Sequence, residues 1–113
     1  MHEYPATMSI IKTAEQYAKS NGAAEVCKIN LVVGDYSGFV PESITMYFEE
    51  IAKGTLCSGA VLNIERVRPK LKCTGCNLLF DRKPFSFNCP DCGGDGLPTD
   101  IGYEFYIKSI EVR

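Results

Sequence analysis

The feature that most constrains this chain is a pair of C-x-x-C motifs in its second half. Cys73 and Cys76 form the first pair, Cys89 and Cys92 form the second, and twelve residues separate the two motifs. Each motif places two thiolates at one tight turn, and two facing turns complete a tetrahedron. Four thiolates leave no open coordination position, so the pattern predicts structural zinc. A redox-active C-x-x-C pair and a rubredoxin-like iron centre stay open, because tetrahedral sulfur sites also accept iron.

The residues directly after the second cysteine of each motif support this interpretation. Asn77 and Gly93 suit the left-handed backbone that such a turn often requires. The other two cysteines, Cys27 and Cys57, stand alone among apolar residues and are predicted to be small buried side chains. Phe80, Phe85 and Phe87 are predicted to form a small core that covers the metal turns.

The compartment follows from what the chain lacks. It has no apolar run long enough to span a membrane, and its start has neither the basic residues nor the apolar stretch of a secretory signal. We therefore expect a cytoplasmic protein with no membrane partner, in which structural disulfides are disfavoured. The formal net charge of −2 argues against a protein held to nucleic acid or to anionic membranes chiefly by charge.

The apolar periodicity predicts an α+β fold, with two helices on a three-stranded sheet and the zinc ribbon inserted before the last strand. The first helix starts almost at residue 5 and ends at Asn21-Gly22, and the second runs from Pro41 to Gly54. The jump between the apolar residues Ile107 and Ile110 suggests a bulge in the last strand. The predicted strands are 25–33, 60–67 and 103–112. Two structural units are predicted: an α+β unit made of residues 1–67 plus 101–113, and the zinc ribbon of residues 68–100.

The single histidine, His2, is the most informative residue outside the ribbon. With one imidazole near the amino terminus, histidine-rich catalytic metal centres and preorganised catalytic dyads are disfavoured, and no P-loop is present, so we expect no enzyme activity. Pro5 suits the first turn of the helix, so Met1 to Tyr4 are predicted to project as a short arm. The terminal amine, the His2 amide nitrogen and the imidazole can close two fused chelate rings, which favour nickel or copper. Glu3 adds a carboxylate within reach.

The whole chain resembles the HypA family, the nickel metallochaperones of NiFe-hydrogenase maturation. Beyond the paired C-x-x-C ribbon, the resemblance covers the full length. It rests on Met1-His2-Glu3-Tyr4, Asn30-Leu31-Val32-Val33-Gly34-Asp35-Tyr36-Ser37, Pro41-Glu42, Gly54-Thr55-Leu56, Gly59-Ala60 and Ser109-Ile110-Glu111-Val112.

The resemblance implies a function and a set of partners. It implies that Ni(II) binds at Met1, His2 and Glu3, that zinc binds at the four cysteines, and that the ion is passed to the NiFe-hydrogenase large subunit, or to urease, with a maturation GTPase of the HypB type. Asp35 is a candidate for docking or remote ligation, or is a simple turn acceptor. Pro5 departs from the serine or other small residue of many relatives, which puts the coordination geometry of the arm in question. The protein is expected to be a monomer or a homodimer.

Two other function classes remain. The first is a zinc-ribbon module that binds protein or nucleic acid, and the second is a rubredoxin-like electron carrier. The evidence for the first is a cluster of basic residues around the ribbon's aromatic residues, namely Arg66, Arg68, Lys70, Lys72, Arg82 and Lys83. Since charge runs usually mark solvated faces, we expect no nucleic-acid partner.

Overall fold

A computed structural model describes residues 2–83 and 86–113, which form two sheets joined by two short connections. The first sheet carries both helices of the described chain, and the second lies beside the four C-x-x-C cysteines, so the predicted α+β class is confirmed. The elements, in chain order, are α1 (Glu3–Ser20), β1 (Val26–Gly34), α2 (Pro41–Ile51), β2 (Val61–Val67), β3 (Lys70–Cys73), β4 (Leu79–Asp81), β5 (Gly96–Pro98) and β6 (Phe105–Val112).

The larger sheet has the strand order β2-β1-β6, so β1 is its central strand. β1 runs parallel to β2 and antiparallel to β6. Its alternate residues Ile29, Leu31 and Val33 are almost fully buried in the core that α1 and α2 cover. The pairing of β1 with β6 shifts register between Asn30 and Leu31, opposite Ser109 and Ile107, which confirms the predicted bulge.

The start of α1 differs from the prediction. The helix begins at Glu3, because the Ala6 amide donates to the His2 carbonyl at 3.1 Å and closes the first turn. Two tertiary contacts hold this turn in place. The Glu3 carboxylate accepts a hydrogen bond from the Val40 amide at 3.1 Å, and the rings of Tyr4 and Tyr47 form a T-shaped contact with centroids 5.4 Å apart. The predicted projecting arm is therefore wrong for Glu3 and Tyr4, and Met1 lies outside the described residues.

The smaller sheet, which we call the ribbon sheet, has the order β4-β3-β5 and its own small core. Leu71 and Phe80 are buried in that core together with two of the cysteines. The expected phenylalanine cover is only partly realised, since Phe87 is 48% exposed with the Arg82 guanidinium 5.0 Å from its ring centroid. Phe85 lies outside the described residues. The division into 1–67 plus 101–113 and 68–100 stays a prediction, although each sheet has a core of its own.

The turn after β1 ties the two sheets together. The Gly34 amide donates to the Glu104 carbonyl and the Tyr36 amide donates to the Gly102 carbonyl, both at 2.7 Å. The Asp35 amide donates to the carbonyl of Val67, the last residue of β2, at 2.9 Å. This turn is therefore bonded to the chain entering the ribbon sheet and to the chain leaving it.

Candidate metal sites

The two C-x-x-C motifs form turns with the same backbone hydrogen bonds. The Cys73 amide donates to the Leu78 carbonyl at 2.9 Å, and the Cys89 amide donates to the Gly94 carbonyl at 2.8 Å. Four residues after each first cysteine, the chain takes up a left-handed conformation, with φ of 63° at Asn77 and 74° at Gly93. The expectation about these two residues is confirmed. The repeated turn points the cysteine side chains of both motifs toward one place.

The four sulfurs meet within a space that fits one metal ion. The Sγ atoms of Cys73 and Cys92 are 3.4 Å apart, those of Cys76 and Cys89 are 3.6 Å apart, and all four lie within 4.8 Å of one another. A tetrahedron with metal–sulfur bonds of about 2.3 Å has sulfur–sulfur edges of about 3.8 Å. The observed separations lie close to that value, so a tetrahedral ion fits with only small movements of the side chains.

Backbone amides favour a negative charge on the first cysteine. The amides of Cys76 and Gly75 donate to the Cys73 Sγ at 3.4 and 3.3 Å. These two donors, with the Cys76 amide contributing more, lower the pKa of the Cys73 thiol to about 6. Cys73 is thus prepared to bind a metal as a thiolate, the form that coordinates.

Two of the other thiols, those of Cys76 and Cys92, resist ionisation. The Leu78 amide lowers the pKa of Cys76, but hydrogen bonding to Cys89, burial and the remaining two thiols together raise it to about 12. The pKa of Cys92 is also raised, because the effect of the Gly94 amide is outweighed mainly by Cys73. Four thiolates this close repel one another, and a divalent cation at their centre removes that repulsion. The donor set therefore suits a metal ion better than four free thiols.

Two glycines after the second motif lie where a side chain would not fit without movement of its neighbours. A Cβ atom added at Gly94 would lie 3.0 Å from the Cys73 Sγ and 3.3 Å from the Cys92 Sγ. A Cβ at Gly96 would lie 2.6 Å from the Phe80 ring and 2.7 Å from the Phe87 carbonyl oxygen. The glycines after the second motif are thus part of the metal turn, although in the sequence they show only as a loose glycine cluster.

The two isolated cysteines lie away from this cluster. Cys57 is fully buried, as predicted, and burial followed by the charge of Glu15 raises its pKa to about 11. Cys27 is only half-buried, with its Sγ 3.4 Å from the Arg113 Nε, so the prediction of a buried side chain is wrong there. Cys27 lies near the start of β1, where Arg113 contacts it. The residues around Cys27 in the sequence do not indicate this contact.

The candidate nickel residue His2 is exposed and stands directly before α1. The first amides of an α-helix have no intrahelical acceptor, and the first such bond here is that of Ala6. The Glu3 side chain lies beside His2 but is buried, with its carboxylate on the Val40 amide. The terminal ammonium group and this amide lower the pKa of Glu3 to about 2. Glu3 therefore remains an anion at the base of the candidate site.

The bond between Glu3 and Val40 brings the start of the chain to the start of α2. The two residues are 37 positions apart, and no local pattern in the sequence links them. Val40 follows the turn after β1 in the chain. In that turn, the Asp35 Oδ1 lies 4.0 Å from the Arg66 Nε. The structure thus places Asp35 in the loop that contacts the amino-terminal turn, and Arg66 also pairs with Glu42 at 3.0 Å. Sequence reasoning missed Val40 and these arginine contacts.

No helix in 2–83 or 86–113 combines the length and the apolar character that crossing a membrane requires.

Comparison with known proteins identifies the family. Residues 1–112 match the sequence model described as "HypA: Hydrogenase/urease nickel incorporation, metallochaperone, hypA". The chain belongs to the HypA family. The "Hydrogenase maturation factor HypA" of Caldanaerobacter subterraneus subsp. tengcongensis is 39% identical over 114 residues, with all of both chains covered. The protein of the same description from Dehalococcoides mccartyi strain CBDB1 is 38% identical over 112 residues, covering 99% of this chain and 94% of that protein.

Solved HypA structures share the fold. The solution structure of the Ni metallochaperone HypA from Helicobacter pylori aligns with a TM-score of 0.64 at 26% identity, covering 97% of this chain and 96% of that one. A second solution structure of a HypA protein aligns with a TM-score of 0.70 at 26% identity, covering 100% and 97%. The resemblance seen in the sequence is therefore confirmed. As a HypA protein, the chain is a nickel-incorporation metallochaperone of hydrogenase maturation and not an enzyme.

Proposed function

We propose that this HypA protein binds Ni(II) through Met1, His2 and Glu3 and delivers it for insertion into NiFe-hydrogenase. The observation that carries the proposal is the family match over residues 1–112, which begins at these three residues. The description of the matching family names urease beside hydrogenase. Delivery to urease is a second candidate because the same terminal chelate would serve either recipient.

The chemistry of the amino terminus supports the nickel assignment. The terminal amine, the His2 amide nitrogen and the imidazole form a nitrogen-rich tetragonal set, which nickel accepts and which zinc does not prefer. Deprotonation of the His2 amide breaks no helical hydrogen bond, because α1 starts at Glu3 and its first intrahelical donor is Ala6. The positive end of the helix dipole favours the resulting anion. An exposed site of this kind leaves the ion accessible to a recipient with better ligands.

The proposed ion at Cys73, Cys76, Cys89 and Cys92 is structural zinc. Four thiolates occupy every tetrahedral position, so this site holds the ribbon sheet in shape and takes no part in nickel exchange. Separate donor sets keep the two ions apart, since zinc prefers the sulfurs and nickel the nitrogens. Metal analysis that finds iron and no zinc in the purified protein would contradict this assignment.

The proposed partners are the maturation GTPase of the HypB type and the NiFe-hydrogenase large subunit, in the cytoplasm. The proposed oligomeric state is a monomer or a homodimer. Binding of each partner to the tag-free protein, with sedimentation analysis of the protein alone, would test these points. An oligomer larger than a dimer, or absence of binding to both partners with nickel present, would contradict them.

The decisive experiment is calorimetric nickel titration of tag-free, zinc-loaded protein. Wild type is expected to show one saturable nickel site with a square-planar absorption band, and His2→Ala is expected to lose it while retaining zinc. A residue added before Met1 is expected to have the same effect because it displaces the amine, whereas a residue added after Arg113 is the matched control. Full nickel affinity in His2→Ala would overturn the proposal.

The role of Glu3 can be separated from that of His2. Gln at position 3 keeps an oxygen that can accept from the Val40 amide, but it removes the carboxylate charge. If Glu3 is a ligand, Glu3→Gln weakens nickel binding and alters the absorption band. An unchanged affinity and band would limit Glu3 to holding the helix start against Val40.

A further inference from the structure

Basic residues are concentrated next to the turn that joins the two sheets. Residues 66–83 contain six of the twelve Lys and Arg residues and one of the fourteen Asp and Glu residues, a segment charge of +5 in a chain of net charge −2. Four of these basic residues border two clefts on either side of Asp35. We call this surface the basic seam: Arg66, Arg68, Arg82 and Lys83.

The two clefts of the basic seam differ in their walls. The first has a volume of about 460 Å³ and is lined by Arg66 and Arg68 opposite the apolar side chains of residues 39–41. The second has a volume of about 350 Å³ and is lined by Arg82 and Lys83 with Tyr36 and Pro69. Asp35 lines both clefts. An extended chain lying across the seam would pass from one cleft to the other over this carboxylate.

Two of the four cations form no close ion pair in the described chain, although Arg68, after Lys70, helps to lower the pKa of Asp81. Arg66 pairs with Asp35 and Glu42, and Arg82 donates to the Tyr36 hydroxyl at 2.6 Å. Within residues 2–83 and 86–113, neither Arg68 nor Lys83 has a carboxylate oxygen within 4 Å, and both are exposed. Each cleft thus offers one cation that an incoming anion can pair with.

We propose that the basic seam docks an extended acidic segment of a protein partner, with one carboxylate in each cleft and an apolar side chain against Val40. Val40 is 49% exposed at the edge of the first cleft, which leaves apolar surface for such a contact. Asp35, whose side chain is 38% exposed, lies where a continuous polyanion would place another negative charge. A peptide can space its carboxylates around Asp35, whereas a phosphate backbone, with a charge on every nucleotide, cannot.

The basic seam lies next to the candidate nickel site, so a docked segment would be held close to the ion. This step rests on the proposed function. Val40 lines the first cleft, and its amide donates a hydrogen bond to the carboxylate of Glu3, the residue next to His2. A segment in that cleft brings its own carboxylates to the amino-terminal turn of α1. The docked partner is thus held beside the terminal chelate, and the docking surface and the proposed nickel site are adjacent.

The test uses the full zinc-loaded chain and a short fluorescein-labelled peptide in which glutamates alternate with valine and proline. We expect saturable binding that weakens with added salt and weakens about tenfold in Arg68→Ala/Lys83→Ala, which corresponds to about 1.4 kcal/mol. The matched control is Lys12→Ala/Lys19→Ala, which removes the same charge from two exposed helix residues without ion pairs in the described chain. The control is expected to bind like wild type.

Three results would overturn the docking proposal. These are equal weakening in both double variants, equal binding of a peptide with glutamine in place of glutamate, and preference for single-stranded oligothymidylate over the peptide. The last would make the seam a nucleic-acid surface.

Nickel titration of the same variants separates this proposal from the proposed function, since Arg68→Ala/Lys83→Ala is expected to bind nickel normally. If Arg68→Ala/Lys83→Ala loses peptide binding but keeps nickel binding, the result supports the docking proposal by itself. If wild type fails to bind nickel, the proposed function fails, and peptide binding still tests the docking proposal.

Discussion

Replacing Gly34 by alanine tests how the turn after β1 joins the two sheets. A Cβ atom at this position would lie 2.2 Å from the Gly102 carbonyl oxygen and 2.8 Å from the Glu104 nitrogen. Carbon and carbonyl oxygen meet in sheets at about 3.3 Å, so the backbone would have to move by about 1 Å. The atoms in the way belong to the main chain, and no rotation of a side chain can relieve the contact.

The expected loss of folding stability follows from the hydrogen bonds that this movement would weaken. The Gly34–Glu104 and Tyr36–Gly102 backbone hydrogen bonds are both 2.7 Å long and would lengthen together. Each such bond contributes about 1 kcal/mol, and leaving its buried groups unsatisfied costs more, so we expect a loss of about 2–4 kcal/mol. That is a large part of the 5–15 kcal/mol typical of a whole domain.

The assay is urea unfolding of zinc-loaded protein followed by far-ultraviolet circular dichroism. A loss of about 3 kcal/mol moves the midpoint by about 1.5 M urea, taking a slope of about 2 kcal/mol per molar. Gly59→Ala is the matched control, because a Cβ at Gly59 meets nothing within 4 Å. If Gly34→Ala unfolds within about 0.5 kcal/mol of this control, the reasoning from backbone contact is refuted.

Three further predictions concern the metal turn, the amino-terminal turn and the buried thiol. Gly94→Ala places a methyl group 3.0 Å from the Cys73 Sγ and is expected to weaken zinc binding about 10- to 100-fold in a chelator competition, so an unchanged affinity would contradict the packing argument. Because the pKa of Glu3 is lowered from 4.5 to about 2, its charge stabilises the fold above pH 4.5 and this contribution is lost as pH falls toward 2. The stability difference between nickel-free wild type and Glu3→Gln should therefore shrink across that window, and a constant difference would refute the assignment. Iodoacetamide is expected to modify half-buried Cys27 before Cys57, whose raised pKa and burial protect it in the zinc-loaded protein; equal rates measured by mass spectrometry would contradict this.

The sequence predicted those parts of the molecule that depend on neighbouring residues. The C-x-x-C spacing indicated a four-sulfur site, and Asn77 and Gly93 indicated left-handed turns, because a chelate turn is built within a few residues. Apolar periodicity located both helices and the strands of the larger sheet, since burial on one face repeats with the period of each element. The family resemblance was also visible, because its residues are distributed along the whole chain.

Only the tertiary structure decided how these parts meet. The predicted projecting arm is instead the first turn of α1, which the Val40 amide holds through the Glu3 carboxylate. Asp35, which contacts Arg66, lines two clefts. The position of β1 at the centre of its sheet and the contact between Gly34 and Gly102 likewise join segments far apart in sequence. Such contacts depend on how folded segments are packed in space, and several of them use backbone groups that nearly every residue carries. A periodic pattern therefore records which side of an element is buried, but not which distant segment buries it.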